Sequence, residues 1–284
     1  MQTVKNALIA AASVGLLAVM GTNPAAAVPF TWNPSLTTPT ALSSAGAFTA
    51  SNFTINDYAV IDTTNLAVVT EKAILSVQSF NTSTPGLVSS SGTVGGTGSP
   101  YALYFTVTAT SHLTPSGPGL FGAFDTLSYI LWGDVGGGCT FSVSAGGGPL
   151  AGCGGDTQLQ LATGSLSSFG LNQVNIINGI PAANVDVTIA AGANAGGFWV
   201  NPTLLSFFNF ETAFTNTPEE ITQSGAIFVI GANTGCGALQ NQACPGGGTI
   251  DLVALPVPEP VTLSVFGAGL IGAAALRRRK AKKA

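Results

Sequence analysis

Residue types that could support catalysis are scarce in this chain. His112 is its single imidazole, and it lies in a stretch rich in proline and glycine. A serine hydrolase would pair this imidazole with a nucleophile, but no Gly-x-Ser-x-Gly nucleophile elbow occurs. Two carboxylates about 5 to 9 Å apart could hydrolyse a glycosidic bond, and sequence spacing does not identify such a pair. We therefore expect a protein that is not an enzyme, with a secreted glycoside hydrolase as an alternative.

Cation binding is a second kind of chemistry that the sequence allows. Asp134 and Asp156 each lie next to glycines, whose backbone carbonyls could join a carboxylate in coordinating Ca²⁺ in a loop. The chain lacks the Asp-x-Asp-x-Asp-Gly array of a dedicated calcium loop. We therefore predict no cofactor and no metal site, and keep Ca²⁺ at these two loops as an open alternative.

The four cysteines lie in two glycine-rich segments. No Cys-x-x-Cys pair is present, which argues against a zinc site. Four cysteines allow three connectivities. We predict the two local disulfides, Cys139–Cys153 and Cys236–Cys244, because they close the shortest loops.

The end of the chain combines three features in a fixed order. Pro258, Glu259 and Pro260 form a short motif whose prolines keep the peptide extended, as an enzyme would need for recognition. Residues 261–276 are apolar, and as a helix they would cover roughly 24 Å, short of a hydrocarbon core of about 30 Å. The basic stop that follows begins with Arg277, Arg278, Arg279 and Lys280. Its long side chains could keep their charges in water on the cytoplasmic side while the apolar segment spans the membrane.

This order resembles the PEP-CTERM sorting signal. In that family a membrane-embedded, transpeptidase-like enzyme, an exosortase, recognises the signal and removes the tail during export from exopolysaccharide-producing Gram-negative bacteria. The resemblance implies an exosortase-type partner and transient insertion in the inner membrane through a C-terminal hydrophobic helix. It also implies a final location at the cell surface or in the extracellular matrix. It covers residues 257–284 and leaves the activity of the remaining chain open.

The start of the chain has the features of a signal peptide. Lys5 supplies a positive n-region, residues 7–20 an apolar core, and Ala25 and Ala27 a small-residue cleavage site before Val28. We predict cleavage between Ala27 and Val28. The predicted segments are a signal helix at 1–27, an exported domain at 28–256 and a sorting segment at 257–284.

The exported domain is nearly free of basic residues. Between Val28 and Val257, Lys72 is the single cation beside eleven acids, so the formal charge there is 1 − 11 = −10, against −4 for the whole chain. A surface without rows of lysine and arginine cannot neutralise phosphates, so we predict no nucleic-acid binding. Neutral glycans remain compatible partners because the surface is rich in Ser, Thr and Asn.

Alternation of apolar and polar residues indicates many short strands. The clearest examples are residues 101–108 and 184–190. Glycine-rich loops separate further candidates at 47–55, 58–62, 73–80, 126–132, 140–144, 158–162, 173–177, 226–230 and 249–255. This pattern predicts an all-β fold, an antiparallel β-sandwich with jelly-roll or Greek-key connections.

Residues 201–216 depart from this alternation. Asn201-Pro202 could cap a helix, and the apolar residues that follow recur at roughly helical intervals: Leu204, Phe207, Phe208, Phe210 and Phe214. We predict one short helix that covers an open end of the sandwich. With Phe198 and Trp199 just before it, this segment is the densest aromatic cluster of the chain, and we interpret it as a hydrophobic plug rather than as a platform for stacking sugars.

Three short segments are similar to the flocculation-associated PEP-CTERM proteins of floc-forming bacteria: VPFTWNP at 28–34, NFTINDY at 52–58 and AFTNTP at 213–218. The similarity implies a role in holding cells within exopolysaccharide flocs. The expected function is therefore a noncatalytic cell-surface or matrix protein that promotes aggregation with exopolysaccharide or other glycans. A lectin-like carbohydrate-binding module is an alternative, with an exposed Trp32, Trp132 or Trp199 at the sugar.

Overall fold

A computed structural model shows a chain built almost entirely from β-strands. The described residues are 27–37, 40–44, 46–81, 101–117, 119–136, 139–154, 157–167, 171–177, 180–191, 199–201, 208–216, 220–232 and 246–254. Within these ranges, no helix has both the length and the apolar character needed to cross a membrane. The predicted signal helix, the Cys236–Cys244 disulfide and the C-terminal hydrophobic helix lie outside them.

Sixteen strands and one short 3-10 helix, Pro34–Leu36, make up the described part of the chain. The strands are β1 (Phe30–Trp32), β2 (Phe48–Ala50), β3 (Asn52–Asp62), β4 (Val69–Asn81), β5 (Tyr101–Ser116), β6 (Gly119–Val135), β7 (Thr140–Ser144), β8 (Gly148–Gly152), β9 (Gln158–Ser165), β10 (Leu171–Ile177), β11 (Ile180–Ala190), β12 (Trp199–Asn201), β13 (Phe208–Asn216), β14 (Ile221–Ser224), β15 (Ile227–Ile230) and β16 (Gly246–Ala254). Every stretch predicted from alternation overlaps these strands, so the all-β class is confirmed. The stretch 47–55 covers β2 and the start of β3, and the separately predicted 58–62 is the end of the same β3.

The largest sheet closes on itself. Antiparallel pairs join β3, β4, β5, β6, β10, β11, β13 and β16 in that order, and β16 then pairs with β3. Opposite walls of this closed sheet face each other across one core, as the two layers of a sandwich do. The strands of this sheet are arranged in chain order, so each pairs with strands that are near it in sequence. The expected jelly-roll or Greek-key connections are therefore not the ones observed in this sheet. Strands adjacent in sequence pair most readily because their connections are short.

Two further elements extend the closed sheet. β9 pairs with β6 beside β10, and the β14–β15 hairpin joins β3 through β15. Ile221, Phe228 and Ile230 of this hairpin are buried in the main core. The hairpin therefore continues the wall at the end of β3 and adds apolar side chains to the interior.

Aromatic side chains fill one end of the closed sheet. A separate three-stranded sheet, β12-β1-β2, places Phe30, Trp32 and Trp199 there, where they meet Phe53 of β3 and Phe80 of β4. The ring centroids of Phe30 and Phe53 are 4.9 Å apart, and those of Phe53 and Phe80 are 5.1 Å apart. We call these five residues the aromatic end. Each large ring that leaves water here contributes strongly to stability.

The predicted helix at 201–216 is wrong. Phe208–Asn216 form strand β13 between β11 and β16, and residues 202–207 lie outside the described part. Burial in β13 alternates, with Phe210, Thr212 and Phe214 inside and Ala213 exposed. Phe210 and Phe214 are four residues apart, a spacing that places them on one face of a strand as well as of a helix, and pairing on both sides favours the strand.

The interpretation of this aromatic cluster as a plug is confirmed for the members whose side chains the structure describes, Trp199, Phe210 and Phe214. Trp199 is 3% exposed and Phe210 is fully buried. Their ring centroids are 6.2 Å apart, and both contact Phe53. Neither side chain is available to stack against a sugar.

A disulfide-linked hairpin covers part of the outer surface. Cys139 and Cys153 form the predicted disulfide at the two ends of β7–β8. Closing a loop of about fifteen residues stabilises a fold by roughly 3 kcal/mol. Phe141 of the hairpin packs against Tyr58 and Tyr104, with ring centroids 5.9 and 5.5 Å apart. Both faces of the first half of β5 are consequently buried.

The beginning of the exported domain lies along its last described strand. Ala27 forms an isolated antiparallel bridge with Val253, and the backbone N–H of Val28 donates to the carbonyl of Leu252 at 2.7 Å. These bonds attach the chain start to the outer edge of β16.

Candidate functional sites

Two carboxyl groups face the interior of the closed sheet, at the end opposite the aromatic end. Asp57 of β3 and Glu71 of β4 take inward positions in the strand alternation that buries Ile55 and Ala73. They line a cavity of about 30 Å³ together with Thr212 and Asn216 of β13, and the remaining lining is apolar. We call Asp57, Glu71, Thr212 and Asn216 the acidic end.

Burial changes the proton affinity of both carboxyls. Loss of water raises the pKa of Asp57 from 3.8 to about 7; a hydrogen bond from Asn216 opposes this shift, and repulsion by Glu220 adds to it. Burial likewise raises the pKa of Glu71 from 4.5 to about 8, and repulsion by Asp57 contributes. Such shifts are common where a protein binds ions or moves protons, and they mark the acidic end as a candidate site.

A close backbone approach holds Asn216 in place. Its Nδ2 atom donates to Oδ2 of Asp57 at 3.2 Å. A Cβ atom added to Gly246 of β16 would collide with Oδ1 of Asn216. Glycine at this position therefore leaves room for the amide beside Asp57.

His112 and Asp125 form a pair on the outer surface. The Nδ1 atom of His112 lies 2.7 Å from Oδ1 of Asp125, on strands β5 and β6, and the side chains are 51% and 46% exposed. An exposed pair of this kind contributes about 1 kcal/mol or less. The pair is therefore a surface contact between two adjacent strands.

The Ca²⁺ alternative at Asp134 fails in its premise. Asp134 is fully buried in strand β6 instead of lying in an open loop, and Asp156 is outside the described part. Ligand atoms of Asp134, Cys139 and Cys153 lie within 4.8 Å of one another. The two cysteines are joined in a disulfide and offer no thiolate to a metal.

Hydroxyl groups line a shallow groove on the outer face of β5, β6 and β9. The hydroxyl oxygens of Thr108 and Ser128 lie 2.9 Å apart across two strands. Thr163 and Ser165 of β9 border the same groove, which has a volume of about 500 Å³. We call this surface the hydroxyl face. It presents neutral donors and acceptors of the kind that hydrogen-bond to sugars.

Trp132 lies beside the hydroxyl face and is the only tryptophan of the chain that is not buried. Its Nε1–H donates to Oγ1 of Thr106 at 3.1 Å, and its ring is partly exposed. Trp32 is fully buried and Trp199 is 3% exposed. The predicted aromatic contact of a lectin-like module is therefore restricted to Trp132.

Three acids that sequence analysis did not single out meet on the opposite outer surface. Glu211 of β13 is directly opposite Asp251 of β16, and Asp186 lies on the adjacent strand β11. Partial burial raises the pKa of Glu211, and repulsion by Asp186 and Asp251 adds to the shift. Like charges directly across a strand pair destabilise a sheet.

The sorting residues Pro258, Glu259 and Pro260 lie outside the described part, as do the basic stop at 277–280 and the cleavage residue Ala25. A family model described as the PEP-CTERM protein-sorting motif matches residues 256–280. No curated protein and no solved structure matches the chain. The match confirms the sorting signal that the order of motif, apolar segment and basic stop indicated.

Proposed function

We propose that this chain, which carries a PEP-CTERM sorting signal for export and exosortase-type processing, is a noncatalytic cell-surface or matrix protein that promotes cell aggregation. The observation that carries the proposal is the sorting motif at residues 256–280. The tail enters the inner membrane transiently, the processing enzyme removes it, and the exported domain then contacts exopolysaccharide. Such a route places the domain where neighbouring cells and their matrix meet.

The surface of the domain supports neutral glycans as the partner. Lys72 is its single basic residue beside eleven acids, so acidic polymers are repelled. The hydroxyl face offers Ser and Thr side chains on three neighbouring strands. Asp57 and Glu71 do not support the glycoside hydrolase alternative, because they border a space of about 30 Å³, which is too small for a sugar ring.

Deletion of residues 257–284 tests the proposal in cells that lack the protein. We expect the truncated domain to leave the cytoplasm and to fail in restoring aggregation, whereas the full chain restores it. Glu259→Ala in the full chain should reproduce the defect if the short motif is recognised. Asp125→Asn, an exposed acid on the outer wall, is the matched control and should aggregate normally. Unchanged aggregation after the deletion would show that the sorting signal is not needed for aggregation.

A lectin-like module is a second candidate, favoured by the exposed part of Trp132 beside the hydroxyl face. Stacking of a sugar on this ring would make Trp132→Ala weaken binding of a neutral polysaccharide to the full chain by about tenfold, equivalent to about 1.4 kcal/mol. Trp132→Phe should retain most of the affinity. Phe121→Ala removes an exposed aromatic from the same strand and serves as the control. Equal affinities of all variants would eliminate this candidate.

A further inference from the structure

The start of the exported domain lies along the edge of β16 at which β3 ends. β3 pairs with β16 as far as Asn52, which is opposite Asp251. Beyond that pair, Ala27 forms an antiparallel bridge to β16, and the backbone N–H of Val28 donates to the carbonyl of Leu252 at 2.7 Å. The Ala27–Val28 peptide bond, at which we predict signal cleavage, is therefore held at a defined place on the sheet.

Three carboxyl groups share a pocket with this bond. Ala27 lines a pocket of about 280 Å³ on the outer surface together with Asp186, Glu211 and Asp251, which are the charged groups among the described residues of its lining. Asp251 is directly opposite Glu211 and comes one residue before the carbonyl that accepts the Val28 N–H. Burial raises the pKa of Glu211, and repulsion by the other two acids adds to the shift. Negative charge is therefore concentrated beside the predicted cleavage site.

The single lysine of the exported domain is too far away to neutralise these acids. Lys72 is opposite Val60 of β3, whereas Asp251 is opposite Asn52 at the first residue of the same strand. These two positions on β3 are roughly 26 Å apart along the strand. The domain contains no arginine. Like charges on adjacent strands destabilise a sheet, so a cation beside the three acids would stabilise it.

Signal cleavage supplies a cation at this place. Hydrolysis of the Ala27–Val28 amide consumes one water, whose oxygen joins the carbonyl carbon of Ala27 and whose two protons end on the nitrogen of Val28. Ala27 leaves as a carboxylate, and Val28 keeps an α-amino group, which has a pKa of about 8 and is protonated at neutral pH. An ammonium group has three N–H donors. One can keep the bond to the carbonyl of Leu252, and the other two face the space that Ala27 leaves in the pocket.

We propose that the α-ammonium group of Val28, created when the signal peptide is removed, binds in this pocket and pairs with Asp251, with Glu211 as the next acid. The inference rests on the predicted cleavage site and not on the role in aggregation. Val28 comes two residues before Phe30, the first residue of β1, so the pair holds the segment that leads into the aromatic end. Processing thus adds a contact that the uncleaved chain lacks.

The test compares two forms of the chain from Val28 to Ala284 in mild detergent, one with a free and one with an acetylated amino terminus. The free form should melt about 2 °C higher at pH 7 and low ionic strength, because acetylation removes the charge. The pKa of its α-amino group, measured by NMR on chain labelled at valine, should lie above the ordinary value of about 8. The difference in melting temperature should be complete below that pH and disappear as the pH rises through the raised pKa.

Two acid variants locate the partner of the ammonium group. Asp251→Asn should abolish the difference between the free and acetylated forms, because it removes the paired carboxylate. Asp125→Asn, which removes an exposed acid from another strand of the outer wall, is the matched control and should keep the difference. Added salt should reduce the difference in the unaltered chain, since it screens charges at the surface.

The results have distinct consequences. A difference that is lost only in Asp251→Asn, together with a raised pKa of the α-amino group, supports the pair. Equal melting temperatures of the free and acetylated forms overturn it, as does a difference that persists in Asp251→Asn. An exported protein whose sequenced amino terminus is not Val28 removes its premise and also overturns it. Cell aggregation is a separate measurement, so failure of the proposed function would leave these outcomes unchanged.

Discussion

The two ends of the same interior are built on opposite principles. At the aromatic end, Phe30, Trp32 and Phe53 are at most 1% exposed and pack ring against ring. At the acidic end, Asp57 and Asn216 are almost equally buried but leave polar atoms without protein partners. Burial alone therefore does not distinguish a region that stabilises the fold from one that is costly to fold.

The two ends contribute to the stability of the fold with opposite signs. Burial of the rings at the aromatic end stabilises the folded state, and the contacts between the rings add to this stabilisation. Burial of the carboxyls at the acidic end destabilises the folded state unless a bound proton or cation compensates for the lost water. A domain stabilised by the aromatic end can tolerate the acidic end, and four experiments test this difference.

Phe53→Ala should have the largest effect. Phe53 contacts the rings of Phe30, Phe80 and Trp199, so its removal leaves a large cavity at the aromatic end. We expect the free energy of unfolding to fall by about 3 to 5 kcal/mol in denaturant titration. Phe121→Ala, at a position that is 42% exposed, should change it by about 0.5 kcal/mol or less. Similar losses in both variants would show that the aromatic end contributes no more to stability than an exposed ring does.

Stability without divalent cations should decrease as the pH rises. Below about pH 3 Asp57 and Glu71 are protonated in both folded and unfolded chains, so they cost nothing there. Between about pH 4 and 8 the unfolded chain loses these protons and the folded chain keeps them, because the folded pKa values are about 7 and about 8. The free energy of unfolding should fall over this range by about 1.4 kcal/mol for each pKa unit that separates the folded from the unfolded value.

Chelator and a variant isolate the origin of that pH dependence. Chemical denaturation at a series of pH values in chelator measures the decrease. The Asp57→Asn, Glu71→Gln double variant should lose most of it, and Glu220 is the remaining acid that acts on Asp57. A double variant with the same slope as the unaltered chain would place the titrating groups elsewhere.

Gly246→Ala should destabilise the acidic end to a smaller extent. The new methyl group would collide with Asn216 and displace its amide from Asp57. We expect a loss of about 1 to 3 kcal/mol in thermal or denaturant unfolding. Gly146→Ala in the β7–β8 turn meets no atom within 4 Å and should be neutral. Equal stability of the two variants would mean that the amide has room to move.

Glu211→Gln should have the smallest effect, and in the opposite direction. It removes one of three like charges on adjacent strands of the outer surface. We expect a gain of about 0.5 kcal/mol near neutral pH, measured by unfolding at low ionic strength and reduced by salt. A loss of stability would indicate that the outer acids are neutralised by a bound cation.

Strand alternation predicted most of the strands but not the closure of the sheet. β5 and β11 follow from period-two patterns, but the closure of the sheet depends on β16 returning to β3 across nearly two hundred residues. No local signal encodes that pairing. The mistaken helix arose because the aromatic spacing in β13 suits both periods. The polar residues Thr212 and Asn216 occupy the inward positions of the strand.

The acidic end also left a signal in the sequence. Asp57 shares its alternation with Phe53, Ile55 and Ile61, which marks it as an acid at an inward position. Glycines beside an acid pointed instead to Asp134, which is buried in a strand. The β3–β4 register places Asp57 opposite Leu75 and Glu71 opposite Ile61, so strand pairing alone does not predict that the two acids border one cavity.

The position of β16 determines which end of the interior lies near the sorting motif. This strand ends at Ala254 after pairing Leu252 with Phe210, and the sorting motif begins at residue 256. The sorting segment therefore follows the domain next to the aromatic end. The acidic end, with its buried carboxyls, lies at the other end of the interior from that point.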